Sequence, residues 1–286
     1  MIQRVLTEEE FHRWNEYIFS RCGLYFGRNR RHSLSVKIFE RMDSVELCST
    51  EDYIALVSDE TSDEFRVLVD ELTNQETQFF RNRPKFELLR STILPTLIRQ
   101  KTARRDKRIR IWSAGCSTGE EPISILISLL ESISYPKTWD IRVMGTDIST
   151  KALLASRKGQ YSEREFSIVD SALRDRYFEM DSLAGIYTLK DNYRQYLDFR
   201  YHNLKSDEFL ADVDIIFCCN VMIYFKNDIK AEIYDRFHNA LLPGGYLFIG
   251  HSETMNRIYD QFETLYFEDA IAYRKRSSEV AEGSDE

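Results

Sequence analysis

Hydrophobic positions in the first quarter of the chain repeat at the spacing of an α-helix. Phe11, Trp14 and Ile18 recur every three or four residues, which places them on one face of a helix. The same spacing returns at 34–42 and 65–72, and residues 8–72 contain no proline. The pattern predicts a small all-helical domain over residues 1–72.

From residue 109 onward, short β-branched and aromatic runs alternate with helical segments. The predicted strands are 109–112, 141–145, 197–201, 213–218 and 246–250, and the predicted helices are 122–133, 150–158 and 228–242. Two further runs, 262–267 and 270–273, predict a final hairpin. Strands separated by helices indicate an α/β fold with a doubly wound, mostly parallel sheet. We expect this domain to span residues 85–276, with an antiparallel edge.

Three segments fall outside this alternation. Residues 73–84 are polar, then aromatic, then basic, and are interpreted as an interdomain segment. The interval 160–196 is too long for one crossover, so we expect an inserted β-hairpin subdomain near 181–197, formed by 185–189 and 193–197. Residues 277–286 are acidic and small, which predicts a disordered tail.

Composition narrows the class of protein. The apolar fraction of 43% and charged fraction of 30% are ordinary for a globular protein, and no apolar run is long enough to enter a membrane. Five cysteines without a C-x-x-C pair favour a reducing cytoplasm over disulfides or zinc, and five scattered histidines give no support for a metal site. The net charge of −8 argues against nucleic-acid binding by the whole chain. Nothing requires more than a monomer.

The segment 109–122 carries the strongest chemical signal. A strand ends at Ser113, Gly115 and Gly119 follow, and a helix opens at Glu120; this arrangement directs backbone N–H groups at a ligand. It lacks the Gly-Lys-Ser/Thr ending of a triphosphate loop, and Glu120 would repel a pyrophosphate. A ligand with an amino group or positive charge fits better, and S-adenosylmethionine is the candidate. Turn glycines of any α/β protein are the plainer alternative.

Polar residues follow the other predicted strands and should meet at the same edge of the sheet. They are Asp147, Asn203-Leu204 and Cys219-Asn220. Asp147 is placed to accept hydrogen bonds from a ribose diol, which also raises the possibility of a nicotinamide dehydrogenase. That alternative lacks a G-x-G-x-x-G motif and an evident hydride-transfer partner. Asp147 as a simple helix cap remains open.

Five motifs together resemble the chemotaxis protein methyltransferases, which esterify glutamate side chains of chemoreceptors with S-adenosylmethionine. They lie at 74–81, 112–122, 145–148, 217–225 and 242–253, in the order of the family. The resemblance covers nearly the whole chain. It implies a class I methyltransferase-like fold with a helical receptor-facing domain, S-adenosylhomocysteine as product, and the cytoplasmic domain of a methyl-accepting chemoreceptor as partner.

The resemblance also implies roles for particular residues. Arg81 would orient the substrate carboxylate, and Tyr224 would supply a hydroxyl or a ring wall. A basic helix would meet the receptor through Arg30, Arg31, Lys37 and Arg41, although a solvated amphipathic helix is nearly as good an interpretation. The residues implied to bind the cofactor are Gln75, Thr77, Arg81, Glu120, Asp147, Asn203, Leu204, Cys219 and Asn220.

Two positions depart from the family pattern. Gln75 stands where asparagine is usual, and its amide can make the same contacts from a longer side chain. Cys219 replaces an arginine and so removes a charge beside the pocket. An inactive cofactor-binding adaptor therefore stays open as an alternative function, although Arg81, Asn220 and Tyr224 speak against it.

A basic stretch at 99–110 raises a second alternative, a methyltransferase acting on RNA or DNA. The stretch has no interleaved aromatic residue before Trp112, and the chain lacks the N/D-P-P-Y/F motif of enzymes that methylate base amino groups. A solvated loop is the simpler interpretation.

Residues 181–185 lack the glycine-rich pattern of family members that tether a receptor C-terminal peptide by strand addition. We therefore expect no strong binding of such a pentapeptide. Isothermal titration calorimetry checks this, and measurable binding would contradict it.

Overall fold

A computed structural model describes residues 4–276, so the predicted acidic tail at 277–286 lies outside the described residues. The chain begins with four helices: α1 (Glu8–Cys22), α2 (Arg31–Ser44), α3 (Thr50–Ser58) and α4 (Glu64–Leu72). Thr7 and Glu10 form a capping box that starts α1, and Gly23 ends it with a left-handed φ of 78°. Trp14, with the residues that share its helical spacing, fills one apolar core between these helices.

Asn15 joins α1 to the loop that follows it. Its side-chain amide donates to the carbonyl of Phe26 at 2.8 Å and accepts from the Phe26 N–H at 3.0 Å. Asn15 is only 6% exposed, so both backbone groups of Phe26 depend on this amide because water does not reach them.

The sheet domain starts with α5 (Arg83–Leu88) and α6 (Leu94–Ala103), joined by a π-helical turn at Leu89–Ile93. Its first half then contains β1 (Arg108–Ala114), α7 (Glu120–Ser132), β2 (Asp140–Asp147), α8 (Thr150–Lys158), β3 (Gln160–Ser162), α9 (Ser171–Tyr177), β4 (Phe178–Asp181) and β5 (Ile186–Leu189). The second half contains α10 (Asp191–Arg194), β6 (Leu197–Tyr201), β7 (Val213–Cys218), α11 (Asn227–Ala240), β8 (Leu241–Ile249), β9 (Phe262–Tyr266) and β10 (Ile271–Lys275).

Seven strands form the main sheet, in the order β6-β2-β1-β7-β8-β10-β9. The first five are parallel and the last two are antiparallel. Alternate residues enter cores on opposite faces, as Ile111 and Trp112 do. The predicted doubly wound, mostly parallel sheet with an antiparallel edge is confirmed. Among these strands only β8 differs noticeably from its predicted bounds, since it begins at Leu241 instead of at residue 246. Pro243 lies within it, where the pairing of β8 with β7 is irregular.

The inserted subdomain is a three-stranded antiparallel sheet in the order β3-β5-β4. The prediction was wrong in its second strand, because residues 193–197 do not pair with 185–189. Asp191–Arg194 is a short helix, and the ring of Tyr193 lies 4.6 Å from that of Tyr177. The true hairpin joins β4 to β5 through a turn in which the Gly185 N–H donates to the Asp181 carbonyl at 2.8 Å.

A side chain of each domain caps the end of a helix in the other domain. The Lys205 ammonium donates to the carbonyls of Phe19 and Ser20 at the end of α1, at 2.6 and 2.7 Å. In return, Asp70 of α4 accepts hydrogen bonds from the start of α8. These contacts fix the helical domain over the carboxyl ends of the parallel strands. Among residues 4–276, no helix has the length and apolarity needed to span a bilayer.

Replacing Asn15 with alanine should lower the free energy of unfolding by about 2 kcal/mol, because it leaves a buried N–H and a buried carbonyl unpaired. Urea denaturation followed by tryptophan fluorescence measures this change. His12→Ala on the exposed face of α1 is the matched control and should stay within about 0.5 kcal/mol of the parent protein. Equal effects of the two substitutions would contradict the role assigned to Asn15.

Candidate active site

A deep cleft opens at the carboxyl ends of β1, β2 and β7, beneath the interdomain segment. Its empty volume, including the part open to solvent, is about 1180 Å³. The helical domain closes one side through Cys22 and Leu24. The structure brings together in this wall every predicted cofactor residue except one: Gln75, Thr77, Arg81, Asp147, Asn203, Leu204, Cys219 and Asn220.

The turn after β1 is pressed against the end of β2. The N–H groups of Gly115 and Cys116 both donate to the Thr146 carbonyl, at 2.7 and 2.9 Å. A β-carbon at Gly115 would lie 2.3 Å from Cγ2 of Val221, and the φ of Gly115 is +81°. Only glycine fits both constraints, so Gly115 serves close packing of the cleft wall rather than turn formation alone.

Asp147 connects this turn to the next one. One carboxylate oxygen accepts from the Ser117 N–H and the other from the Ser149 N–H, each at 2.8 Å. Burial raises the pKa of Asp147, and these backbone hydrogen bonds oppose the rise. The true N-cap of α8 is Ser149, which accepts from the Ala152 N–H. Asp147 is therefore not the cap of α8; it joins the two turns and lines the cleft.

The carboxylate in the cleft at the start of α7 is Glu121, and the assignment of Glu120 needs correction. Glu120 is absent from the cleft wall and only 2% exposed, and its carboxylate accepts from the Thr118 hydroxyl at 2.7 Å. Glu121 lines the cleft and accepts from the Ser113 hydroxyl at 2.7 Å. Burial raises the pKa of each to about 7. The signal in the sequence was the presence of two adjacent glutamates. Because neighbouring residues in a helix point about 100° apart, the two side chains face different directions, and Glu121 was as much a candidate for the cleft as Glu120.

The interdomain segment is fastened to the sheet domain at several points. The Ser117 hydroxyl donates to the side-chain oxygen of Gln75 at 2.7 Å, and the Phe80 N–H donates to the Ser124 hydroxyl at 3.0 Å. The ring of Phe79 stacks on that of Phe166 with centroids 4.5 Å apart. These contacts hold Thr77 in the wall of the cleft.

The side-chain amide of Asn203 forms hydrogen bonds with backbone groups of the protein. It donates to the Arg21 carbonyl at 2.9 Å and accepts from the Lys205 N–H at 3.1 Å. Asn203 therefore joins the cleft to the helical domain, and its second N–H and remaining oxygen lone pair leave the hydrogen bond to adenine implied by the resemblance as a prediction. Leu204 presents the apolar wall expected of it.

Beyond β7, the chain turns through Asn220, which has a left-handed φ of 63°. The carboxylate of Glu253 holds this turn by accepting from the N–H groups of Asn220 and Ile223, at 3.1 and 3.2 Å, and from that of Gly250. Burial raises the pKa of Glu253. Sequence reasoning missed this supporting role, which depends on a loop separated from Asn220 by 33 residues.

Tyr224 and Arg81 lie together at the mouth of the cleft. Burial raises the pKa of Tyr224, while the charges of Arg30 and Arg81 oppose that rise. The guanidinium carbon of Arg30 lies 5.9 Å from the centre of the Tyr224 ring. An Nη1–H of Arg81 donates to the Glu76 carbonyl at 2.6 Å. The charges of two arginines therefore act on one tyrosine.

The other three basic residues predicted to meet a substrate are engaged within the helical domain. Arg31 donates to the Leu6 carbonyl and to Glu8. Lys37 pairs with Glu40 and Glu71. Arg41 makes a bidentate pair with Glu64 at 2.9 Å. Substrate contact by these three residues stays a prediction, since their charges are paired within the domain, and of the four only Arg30 lies beside Tyr224.

The residues present fit S-adenosylmethionine. Asp147 offers a carboxylate for a ribose diol, Glu121 offers one for a cationic group, and Leu204 and Ile148 form apolar walls. A triphosphate or pyrophosphate would meet two carboxylates, which would repel it.

Glu121→Gln should weaken S-adenosylmethionine binding about tenfold at pH 8, because one charge-assisted contact is lost. The pKa near 7 means that the parent protein loses the Glu121 charge as pH falls below 7, so its affinity should fall there too. The Gln variant should lack this dependence. Calorimetry from pH 6 to 8 measures both, and Glu120→Gln is the matched control. A larger loss in the control would restore the original assignment.

Comparison with known proteins agrees with this geometry. The family model "CheR methyltransferase, SAM binding domain" matches residues 75–271, and "CheR methyltransferase, all-alpha domain" matches residues 9–73. Chemotaxis protein methyltransferase 2 of Vibrio cholerae is 32% identical over 96% of each chain. The Escherichia coli chemotaxis protein methyltransferase is 32% identical over 91% of each chain. The chain therefore belongs to the CheR methyltransferases, the chemotaxis protein methyltransferase family that uses S-adenosylmethionine.

Proposed function

We propose that this protein transfers methyl groups from S-adenosylmethionine to glutamate side chains of a methyl-accepting chemoreceptor, forming γ-methyl esters for sensory adaptation. The observation that carries the proposal is that the guanidinium groups of Arg81 and Arg30 both act on Tyr224, which lines the cleft together with Arg81. A carboxylate substrate is attracted to this position, whereas a cationic lysine substrate is repelled.

The bound cofactor supplies an electrophilic methyl group on a sulfonium. A glutamate carboxylate is already ionised near neutral pH, so the protein needs no general base to activate it. Arg81 orients the carboxylate for in-line attack, and Tyr224 forms the wall against which its side chain lies. The site promotes the reaction by positioning the two reactants and by excluding water.

The cleft interior accounts for cofactor orientation. Asp147 holds the ribose hydroxyls, and Glu121 balances the charge of the sulfonium or the α-ammonium. Thr77 and Gln75 close the pocket from the interdomain segment, while Leu204 packs against the adenine. Cys219 and Asn220 line the remaining side.

A receptor docks at the rim of the cleft, where the helical and sheet domains meet. Tyr25 and Ile223 are 41% and 51% exposed there, next to Tyr224. Their apolar surface, together with Arg30 and Arg81, suits a helix that carries glutamates beside apolar residues. The partner is therefore the cytoplasmic domain of a chemoreceptor.

Label transfer from S-adenosylmethionine to receptor-containing membranes tests the proposal. We expect mild alkali to release the label as methanol, because the product is a carboxyl ester. Alkali-resistant label would instead indicate N-methylation, as in an RNA or lysine methyltransferase. Cofactor binding without transfer to receptors from the same organism would indicate an inactive adaptor.

Arg81→Ala should reduce kcat by about 10²–10³-fold, the usual cost of losing one electrostatic contact in a transition state. Initial rates of methyl-ester formation measure this loss. Arg83→Ala is the matched control, since Arg83 lies two residues away and pairs with Glu87 on the surface. Unchanged activity of the Arg81 variant would refute the role assigned to Arg81.

A further inference from the structure

A carboxylate of the helical domain reaches into the turn that carries Asp147. Asp70 of α4 accepts from the Ser149 hydroxyl and the Thr150 hydroxyl, both at 2.7 Å. It also accepts from the Lys151 N–H at 3.2–3.3 Å. All three donors belong to the turn and first residues of α8, so one side chain from another domain fixes the start of this helix.

The same turn determines where the Asp147 carboxylate points. The Ser149 N–H donates to Asp147, and the Ser149 hydroxyl both accepts from the Ala152 N–H and donates to Asp70. Ser149 is thus held between the two carboxylates. Any shift of the Asp70 contact moves Ser149, and the hydrogen bond from Ser149 transmits that shift to Asp147.

The carboxylate of Asp70 lies close enough to Asp147 to oppose the ionisation of Asp147. The charge of Asp70 adds to the rise in the pKa of Asp147, after the larger effect of burial. The N-terminus of α8 offsets part of this repulsion because helix N-termini favour negative charge. Asp70 itself is absent from the cleft wall, so it acts on a ligand only through the turn.

We propose that Asp70 is a positioning residue of the cofactor site, which orients Asp147 toward the ribose diol from the helical domain. The inference rests on the ribose-binding role of Asp147 in the proposed function. It makes the helical domain part of the cofactor site as well as a receptor-facing module.

Binding of S-adenosylhomocysteine to the full chain, without receptor, tests this inference. Asp70→Ala should weaken binding about tenfold, the equivalent of one charge-assisted hydrogen bond. The informative probe is a 2′,3′-dideoxy analogue, which lacks both ribose hydroxyls that Asp147 is proposed to hold. If Asp70 acts through Asp147, the substitution should change the affinity for this analogue by less than about twofold, because the two losses are not additive.

Two further variants keep the test decisive. Glu71→Ala is the matched control: Glu71 is the next residue of α4 and pairs with Lys37 and Lys151 side chains, without a hydrogen bond to the turn backbone. It should leave both affinities unchanged. Thr150→Val removes only one donor to Asp70 and preserves shape, so it serves if Asp70→Ala does not fold, with a smaller loss in the same direction.

Equal losses for S-adenosylhomocysteine and the 2′,3′-dideoxy analogue would assign Asp70 to general domain packing and overturn the proposal. Parent-like binding of S-adenosylhomocysteine by both Asp70→Ala and Thr150→Val would do the same. These outcomes concern the cofactor alone, so they are separate from a failure to methylate receptors. A double-mutant cycle with Asp147→Asn and Asp70→Ala completes the test, with S-adenosylhomocysteine affinity as the measured quantity. Strongly non-additive losses of affinity support the inference, and additive losses refute it.

Discussion

The structure depends on one buried carboxylate, Asp147, that holds two strand-end turns together. Its oxygens accept from Ser117 in the turn after β1 and from Ser149 in the turn after β2. Without it, two backbone N–H groups beside the cleft would lose their partners, at a cost of about 1–3 kcal/mol each. The interdomain segment attaches to the first turn through Gln75, and the helical domain attaches to the second through Asp70. The shape of the cleft and the arrangement of the two domains therefore both depend on the Asp147 carboxylate.

Charge is divided between the interior and the mouth of the cleft. Carboxylates line the interior, where Asp147 and Glu121 suit a cofactor with cationic groups. Guanidinium groups stand at the mouth, where Arg30 and Arg81 suit an acidic substrate. This division arranges two reactants of opposite charge without a catalytic base, which is consistent with a methyl transfer driven by positioning.

Neighbouring residues accommodate the two departures from the family pattern, at Gln75 and Cys219. The side chain of Gln75 reaches both Ser117 and Thr73, so its extra methylene is accommodated by the turn. Cys219 brings no charge to Glu121, but the buried Lys85 lies close enough to lower the pKa of Glu121 against the larger effect of burial. A positive charge therefore acts on Glu121 from α5, although Lys85 does not line the cleft itself.

The sequence by itself determined the architecture and the identity of the cleft-lining segments. Helical spacing, strand alternation and polar residues at strand ends are local signals, and carboxyl ends of parallel strands must meet at one edge. Only the tertiary structure decided that Glu121 rather than Glu120 faces the cleft, that Asn203 bonds to α1, and that Arg31, Lys37 and Arg41 are paired. It also replaced the predicted second hairpin strand with a short helix. For the side chains, the physical reason is that the direction and partners of a polar group depend on groups distant in sequence, which no local period records. The short helix likewise lies where the ring of Tyr193 packs against that of Tyr177, a contact between distant residues.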